Sequence, residues 1–235
     1  MEELINYGNI KIHVPNDSFV IGEVHNILNC QTYPIINISK ENPIIFDIGA
    51  NVGAFSALIC QQIPKSTVYA FEPQSELFNL MYKTFKDIPS VHLYNFGLSS
   101  ENVSAFLYKN SKFPYLGNSV YKVGESYESI LLKKSSDILE QLKIKHIDFI
   151  KMDVEGSEDK IIEDLINNNI TFDTVCLEFH SEKIRRKIDT LLEKNYVLAM
   201  AISQVPNNGK VIYISKESVT RLGYDSFSIE REVCG

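Results

Sequence analysis

The sequence has no apolar run that approaches the roughly 20 residues needed to cross a lipid bilayer. Its first ten residues, MEELINYGNI, also lack the basic start and apolar centre of a secretory signal peptide. We therefore expect a cytoplasmic protein that makes no integral membrane contact.

Basic residues are in the minority. The chain of 235 residues carries 23 Lys and Arg against 30 Asp and Glu, which gives a formal net charge of −7. Because nonspecific binding to nucleic acid depends on neutralising phosphates with a basic surface, this balance weighs against a nucleic-acid partner.

Cysteine is sparse, and no two cysteines form the C-x-x-C pair that is typical of zinc and redox sites. We expect reduced, structurally passive thiols rather than a disulfide framework. The four cysteines are Cys30, Cys60, Cys176 and Cys234.

The middle of the chain alternates between strand and helix patterns. Runs of apolar residues predict strands, and helical stripes of apolar residues lie between them. This alternation predicts right-handed crossovers and a parallel sheet with helices on both faces. The predicted strands cover 44–48, 67–71, 91–95, 146–153 and 174–179.

The alternation of strands and helices gives way to two successive strands near the end of the chain. Two apolar runs, 196–203 and 210–215, are separated by a short turn, so they predict an antiparallel hairpin at the end of the sheet. We divide the chain into an N-terminal strand and helix appendage (1–43), a core domain (44–216) and a C-terminal tail (217–235), all within one structural domain.

Two segments outside the alternating pattern leave alternatives open. In the appendage, Asp17 is predicted to cap a helix with an apolar stripe, which could cover the active site or only one edge of the sheet. Residues 99–128 are rich in Ser, Asn, Tyr and Gly, which favours a β-hairpin or a long loop over a helix.

The stretch FDIGANVGAF, from Phe46 to Phe55, predicts a strand, a glycine turn and a helix N-terminus. Such a turn brings backbone N–H groups close to a ligand. Glu72 ends the next predicted strand, where a carboxylate is typical of ribose recognition. The two features together predict a nucleoside cofactor, although an Asp-x-Gly turn alone can be simple turn chemistry. Asn51 breaks the G-x-G-x-x-G pattern of NAD sites.

A second group of polar residues follows the fourth and fifth predicted strands. Asp153 and Glu155 are two residues apart, so both could face one pocket, or they could cap the following helix. Glu178 and His180 repeat this spacing after the next strand. His180 could be a general base or a hydrogen-bonded helix-entry residue.

Three motifs carry a resemblance to a known family: DIGANVG (47–53), FEP (71–73) and IDFIKMDVEGSE (147–158). In this order and spacing they closely resemble the FkbM family of S-adenosylmethionine-dependent methyltransferases, over roughly residues 35–215. The resemblance implies the class I methyltransferase fold. This is a Rossmann-like α/β fold with a seven-stranded, mostly parallel sheet, a C-terminal antiparallel hairpin and helices on both faces.

The resemblance also implies the cofactor site. Asp47 would hold the glycine turn or accept a hydrogen bond from the amino group of S-adenosylmethionine, and Glu72 would accept from both ribose hydroxyls. Three residues after the third strand would contact the adenine. The implied cofactor-binding residues are Asp47, Gly49, Ala50, Asn51, Gly53, Glu72, Pro73, Asn95, Gly97, Leu98 and Asp153.

For the reaction, the family implies O-methylation of a sugar, glycan or natural-product hydroxyl. The proton would go to His180, Glu155 or Asp153. The same groups with Glu178 could instead hold a divalent cation, but we expect no metal because no feature requires one. N-methylation of an amine, on a glycan substituent or a small amino acid, is the alternative. An NAD(P)-dependent oxidoreductase and a non-catalytic binding module are further alternatives. Tyr33, Asn118 and Ser119 are weaker candidates for the acceptor pocket.

Overall fold

The chain begins with a hairpin and a helix. Strands β1 (Glu2–Tyr7) and β2 (Ile10–Pro15) pair antiparallel. The carboxylate of Asp17 then accepts from two backbone N–H groups of the first turn of helix α1 (Ser18–Leu28), as predicted. The buried face of α1 shares a hydrophobic core with the sheet and the helix that follows it, and consists of Val20, Val24 and Leu28.

From Ile44 onwards the predicted strands and helices are all present, together with a short strand at Gly97–Ser99 and a helix at Lys216–Arg221 that were not predicted. They are β3 (Ile44–Ile48), α2 (Ala54–Gln62), β4 (Thr67–Phe71), α3 (Ser75–Phe85), β5 (Val91–Tyr94), β6 (Gly97–Ser99), β7 (Val103–Tyr108), β8 (Tyr127–Lys134), α4 (Ser135–Leu142), β9 (His146–Met152), α5 (Glu158–Asn167), β10 (Thr171–Phe179), α6 (Glu182–Leu192), β11 (Tyr196–Val205), β12 (Asn208–Ser215) and α7 (Lys216–Arg221).

The central sheet has seven strands in the order β11–β12–β10–β9–β3–β4–β5. All pairings from β10 through β5 are parallel, whereas β12 runs antiparallel to both of its neighbours. The predicted seven-stranded, mostly parallel fold with a terminal antiparallel hairpin is confirmed. The order in which the strands are added to the sheet reverses direction between β3 and β9. In open α/β sheets, ligands bind at such a point, beyond the carboxyl ends of the strands.

A smaller sheet stands beside the central one. Strands β7 and β8 form the antiparallel pair expected as one possibility for residues 99–128, and β6 pairs with β8 in parallel. At the other end of the chain, part of the tail forms helix α7, and Arg221 of this helix donates to Asp173 at 2.6 Å. The division at 43/44 and 216/217 stays a prediction.

A computed structural model describes the backbone of most of the chain. Within that part, no helix combines the length and the apolar character that a membrane span requires. Cys30, Cys60 and Cys176 are free thiols. Cys234, Asn118 and Ser119 lie outside the described residues, which are 2–35, 38, 40–109, 115–117, 120, 126–205, 207–221 and 223.

Candidate active site

A cleft that is partly open to solvent lies at the carboxyl edge of the sheet between β3 and β9. Its walls come from the β3–α2 turn, the ends of β4 and β9, the small sheet and helix α1. The sequence-predicted residues on its walls are Tyr33, Gly49, Ala50, Asn51, Glu72, Pro73, Gly97, Leu98, Asp153 and Glu155.

The glycine turn at the end of β3 is pressed against the end of β9. Gly49 has φ +75°, and a Cβ atom there would lie 1.7 Å from the carbonyl oxygen of Asp153, so no larger residue fits. Asn51 adopts the left-handed conformation that suits asparagine, at φ +54°. Its side-chain amide donates to the carbonyl oxygen of Tyr115 at 3.1 Å, which ties that segment to the cleft. Gly53 caps α2 and lies behind the wall.

Asp47 lies beneath the turn and is fully buried rather than on the cleft wall. The Ser56 hydroxyl donates to it at 2.7 Å, and the ammonium of Lys151, its neighbour across the sheet, lies 3.4 Å away. Lys151 also donates to the carbonyl oxygen of Gly49. Burial alone would lower the pKa of Lys151, but the charge of Asp47 outweighs it and the pKa is raised. Of its two implied roles, Asp47 is therefore placed to hold the turn.

Glu72 lies on the wall facing this turn and is 6% exposed. One carboxylate oxygen accepts from the backbone N–H of Asn51 and the other from that of Gln74, each at 2.8 Å. A carboxylate oxygen has two acceptor sites, so each can accept one more hydrogen bond, for example from a ribose hydroxyl. Burial raises the pKa of Glu72 to about 7, partly offset by these N–H donors.

The wall beyond Glu72 is apolar. Gly97 and Leu98, both implied adenine contacts, lie on it. Asn95 lies behind, where its amide donates to the carbonyl oxygens of Glu72 at 3.0 Å and Pro73 at 3.3 Å. Asn95 therefore shapes this wall through the backbone. The small sheet completes the wall with Leu107, Ile130 and Leu132.

A carboxylate and histidine cluster lies at the opposite side of the cleft, where Asp153 and Glu155 line the wall and His180 lies behind them. His180, after β10, places Nε2 at 3.1 Å from Glu155 and at 3.8 Å from Asp153. Its Nδ1 lies 2.8 Å from Glu158, which is fully buried. Glu155 has φ +57° and Gly156 has φ +111°, so the chain turns sharply between β9 and α5. The structure brings all three predicted catalytic residues together.

The pKa values in this cluster distinguish its members. Burial alone would lower the pKa of His180, but the hydrogen bond to Glu158 and the nearby carboxylates outweigh it, so the pKa rises to about 9. The pKa of Glu155 is also raised, because burial and the charge of Asp153 outweigh the attraction of the histidine. At neutral pH His180 is therefore an imidazolium, and Glu155 holds a proton more tightly than an exposed glutamate does.

Asp153 has a different environment at each oxygen. Oδ2 accepts from the Tyr33 hydroxyl at 3.2 Å. Oδ1 is buried and has no hydrogen-bond partner among the described residues. Asp153, Glu155 and His180 offer ligand atoms within 4.8 Å of one another, so the cluster also has the geometry to hold a divalent cation.

Some site residues were not foreseen from the sequence. Lys151 could have been predicted from the sequence, since a lysine inside an apolar strand needs a buried partner. Glu158 could not have been predicted, because its contact with His180 depends on how α5 packs beside β10. The structure also decides the open alternative for the appendage: α1 forms part of the cleft wall, through Val20, Glu23, Val24 and Ile27.

The profile of the methyltransferase FkbM domain matches residues 47–198. The chain belongs to the FkbM methyltransferase family. This membership confirms the resemblance read from the three motifs. The glycine turn, the Glu72 carboxylate and the apolar wall fit S-adenosylmethionine, the cofactor that the resemblance implies.

Relatives and solved structures agree with this assignment. The hexuronic acid methyltransferase AglP of Haloferax volcanii is 24% identical over 162 residues, 68% of this chain and 65% of that protein. Methyltransferase sdnD of Sordaria araneosa is 27% identical over 68% of this chain and 75% of that protein. The crystal structure of a methyltransferase FkbM from Methylobacillus flagellatus has a TM-score of 0.51 at 15% identity, over 84% of this chain and 55% of that chain, and so supports the fold. This chain thus spans slightly less than two thirds of AglP.

Proposed function

We propose that this chain transfers the methyl group of S-adenosylmethionine to a hydroxyl group of a neutral sugar or natural-product acceptor. The observation that carries the proposal is the carboxylate group of Asp153, whose side chain lines the cleft and is 28% exposed. An alcohol has a pKa well above neutral, so its methylation needs a group that takes up the hydroxyl proton.

The cofactor, when bound, supplies a methyl group that is already electrophilic because its sulfur is a sulfonium. The chain therefore has to bind and orient the cofactor and the acceptor, and to exclude water from between them. Glu72 is placed to accept from the ribose hydroxyls, and the turn at Gly49 allows the backbone to approach the ligand. The N-terminus of α2, at the end of this turn, favours a carboxylate such as that of the methionine part.

Asp153 is the proton acceptor in this proposal. His180 is protonated at neutral pH and is engaged at both ring nitrogens, so it stabilises the neighbouring carboxylates instead of acting as the base. Glu155 holds its own proton more tightly than usual. The geometry therefore favours Asp153 over the other two candidates named from the sequence.

The charge of the cleft bears on the acceptor. The name of AglP refers to a hexuronic acid, which supports a sugar acceptor here. The acceptor side of this cleft, however, carries the carboxylates of Glu23 and Asp153, which would repel the carboxylate of a uronic acid. We therefore favour an uncharged sugar. The same charges would attract an ammonium group, which keeps N-methylation of an amino sugar or a small amino acid as the second candidate.

Incubation with a methyl-deuterated donor tests the proposal. Neutral glycosides, uronic acids and amino sugars serve as acceptors, and mass spectrometry locates the label. We expect labelled oxygen on a neutral sugar, loss of labelling in Asp153→Asn, and unchanged labelling with EDTA. Labelling of nitrogen would favour the second candidate, and labelling that requires a divalent cation would assign the cluster to a metal. Cytoplasmic location and the lack of a nucleic-acid partner stay predictions.

A further inference from the structure

Among the described residues of helix α1 that line the cleft, Glu23 is the only charged one. These residues are Val20, Glu23, Val24 and Ile27, which have the i, i+3, i+4 and i+7 spacing of a single helical face. The face of a helix that packs on a hydrophobic core is apolar, and the other three positions follow this rule. Packing on the core therefore does not explain why position 23 carries a glutamate.

The carboxylate of Glu23 is partly buried and has no protein donor within the described part of the chain. No hydrogen bond or ion pair joins it to another of these residues. A carboxylate that loses part of its water without gaining a donor costs free energy. That cost is removed when a bound ligand supplies the donor, so the geometry favours a ligand with hydroxyl or ammonium groups at this position.

Among the described residues of the cleft wall, no unpaired cation balances the charge of Glu23. Lys151 is the one basic side chain that lines this part of the structure, and its ammonium lies 3.4 Å from Asp47. The same ammonium donates to the carbonyl oxygen of Gly49. A negatively charged acceptor would therefore meet Glu23 without a cation to offset the repulsion.

Glu23 belongs to the side of the cleft where the acceptor is proposed to bind. Burial is the main reason that the pKa of Tyr33 is raised well above its usual value, and the charge of Glu23 adds to this shift, so the two side chains lie within electrostatic range of one another. Tyr33 also lines the cleft, and its hydroxyl donates to Asp153 at 3.2 Å. Tyr33 thus connects Glu23 to the carboxylate that is proposed to take the acceptor proton.

We infer that Glu23 selects the acceptor: its carboxylate accepts hydrogen bonds from hydroxyl groups of a neutral sugar, and its charge excludes sugars that carry a carboxylate. The inference rests on the proposed function and names the residue that sets its substrate class. Two adjacent hydroxyls of a sugar ring can donate to the two oxygens of one carboxylate. Because Glu23 precedes residue 47, this selection is made outside the matched family domain.

Two substitutions separate the hydrogen bonds from the charge. The acceptors are methyl hexosides and the matching methyl hexuronides, which differ only in a hydroxymethyl or a carboxylate group. Glu23→Gln loses the charge and one acceptor oxygen, so KM for the hexoside should rise about tenfold with kcat little changed. In Glu23→Lys, the ratio of kcat/KM for hexoside to that for hexuronide should fall about 100-fold. Glutamine and lysine form helices about as well as glutamate, so α1 should remain folded.

Glu3→Lys is the matched control. Glu3 is an exposed glutamate of β1 that does not line the cleft, and its replacement changes the net charge by the same amount as Glu23→Lys. It should leave KM for both acceptors as in the unaltered protein. Isothermal titration of Glu23→Gln with S-adenosylhomocysteine should give an unchanged affinity. A tenfold loss of this affinity would assign Glu23 to the ammonium group of the cofactor and overturn the inference.

Binding of the acceptors provides a readout that does not depend on methyl transfer. Titrated into the protein saturated with S-adenosylhomocysteine, the hexoside should bind more tightly than the hexuronide, and Glu23→Lys should reverse this order. If the unaltered protein binds the hexoside without methylating it, the proposed function fails, while the order of binding still decides the role of Glu23. The same order in Glu23→Lys and the unaltered protein, or no binding of either sugar, would show the inference to be wrong.

Discussion

Replacement of Glu72 by Gln probes the cofactor side of the cleft with the least change in shape. Both carboxylate oxygens accept from backbone N–H groups, those of Asn51 and Gln74. A glutamine has only one oxygen, so its amide group must face one of these N–H groups. An unsatisfied buried donor costs about 1–3 kcal/mol. The variant also loses one of two acceptors for ribose hydroxyls, and we expect its affinity for S-adenosylhomocysteine to fall about 10- to 100-fold.

The pH dependence provides a second test of Glu72, because stability and cofactor affinity should change in opposite directions as the pH rises. Burial raises the pKa of Glu72 from its ordinary 4.5 to about 7, so the folded cofactor-free protein binds this proton more tightly than the unfolded chain. The stability that Glu72 contributes is therefore fully present below pH 4.5 and is lost as the pH rises through about 7. At about 1.4 kcal/mol per pH unit, this interval corresponds to about 3 kcal/mol. Ribose hydroxyls donate best to the charged carboxylate, so cofactor affinity should instead rise towards pH 7 and level off above it.

Urea denaturation and isothermal titration with S-adenosylhomocysteine, each between about pH 5 and pH 8, measure both effects. The Gln variant should lose the fall in stability across this range and also the rise in affinity. Asn95→Ala, which alters the backbone support of Glu72 but not its carboxylate, serves as the comparison and should retain both trends. If Glu72→Gln binds S-adenosylhomocysteine as tightly as the unaltered protein, Glu72 does not hold the ribose.

Three further substitutions test the rest of the site. Gly49→Ala places a Cβ atom 1.7 Å from a carbonyl oxygen at φ +75°, so we expect a loss of about 3 kcal/mol or more in urea denaturation; Gly22→Ala, which meets no atom within 4 Å, should instead stabilise the chain by about 0.5–1 kcal/mol. Lys151→Met leaves Asp47 buried without its counter-charge, which should cost about 3–5 kcal/mol in the same assay, with part of it recovered when Asp47→Asn is added. His180→Ala should lower kcat and leave the calorimetric affinity for S-adenosylhomocysteine unchanged; unchanged turnover would make His180 structural.

The fold could be predicted from the sequence because the signals that indicate strands and helices are local. Apolar periodicity marks each strand and helix, and the turn at Gly49 with the carboxylate at Glu72 marks the edge where the ligand binds. The roles of the polar residues depend on long-range packing. The position of Asp47 before the turn is typical of a residue that contacts the cofactor. In the structure its partner is Lys151, on a strand about 100 residues further along the chain. The raised pKa of His180 depends on Glu158 as well as on Glu155 and Asp153, and no pattern in the sequence predicts the contact with Glu158.

The two sides of the cleft differ in how they are built, and this difference bears on specificity. The cofactor side comes mainly from consecutive segments, the β3–α2 turn and the end of β4, so a short motif can specify it. The acceptor side is assembled from α1, Tyr33 and the ends of β9 and β10, which are far apart in the chain. Part of this side lies before residue 47, outside the matched family domain. A change in that segment can therefore alter the acceptor without altering cofactor binding, so family membership specifies the methyl donor much more closely than the molecule that receives the methyl group.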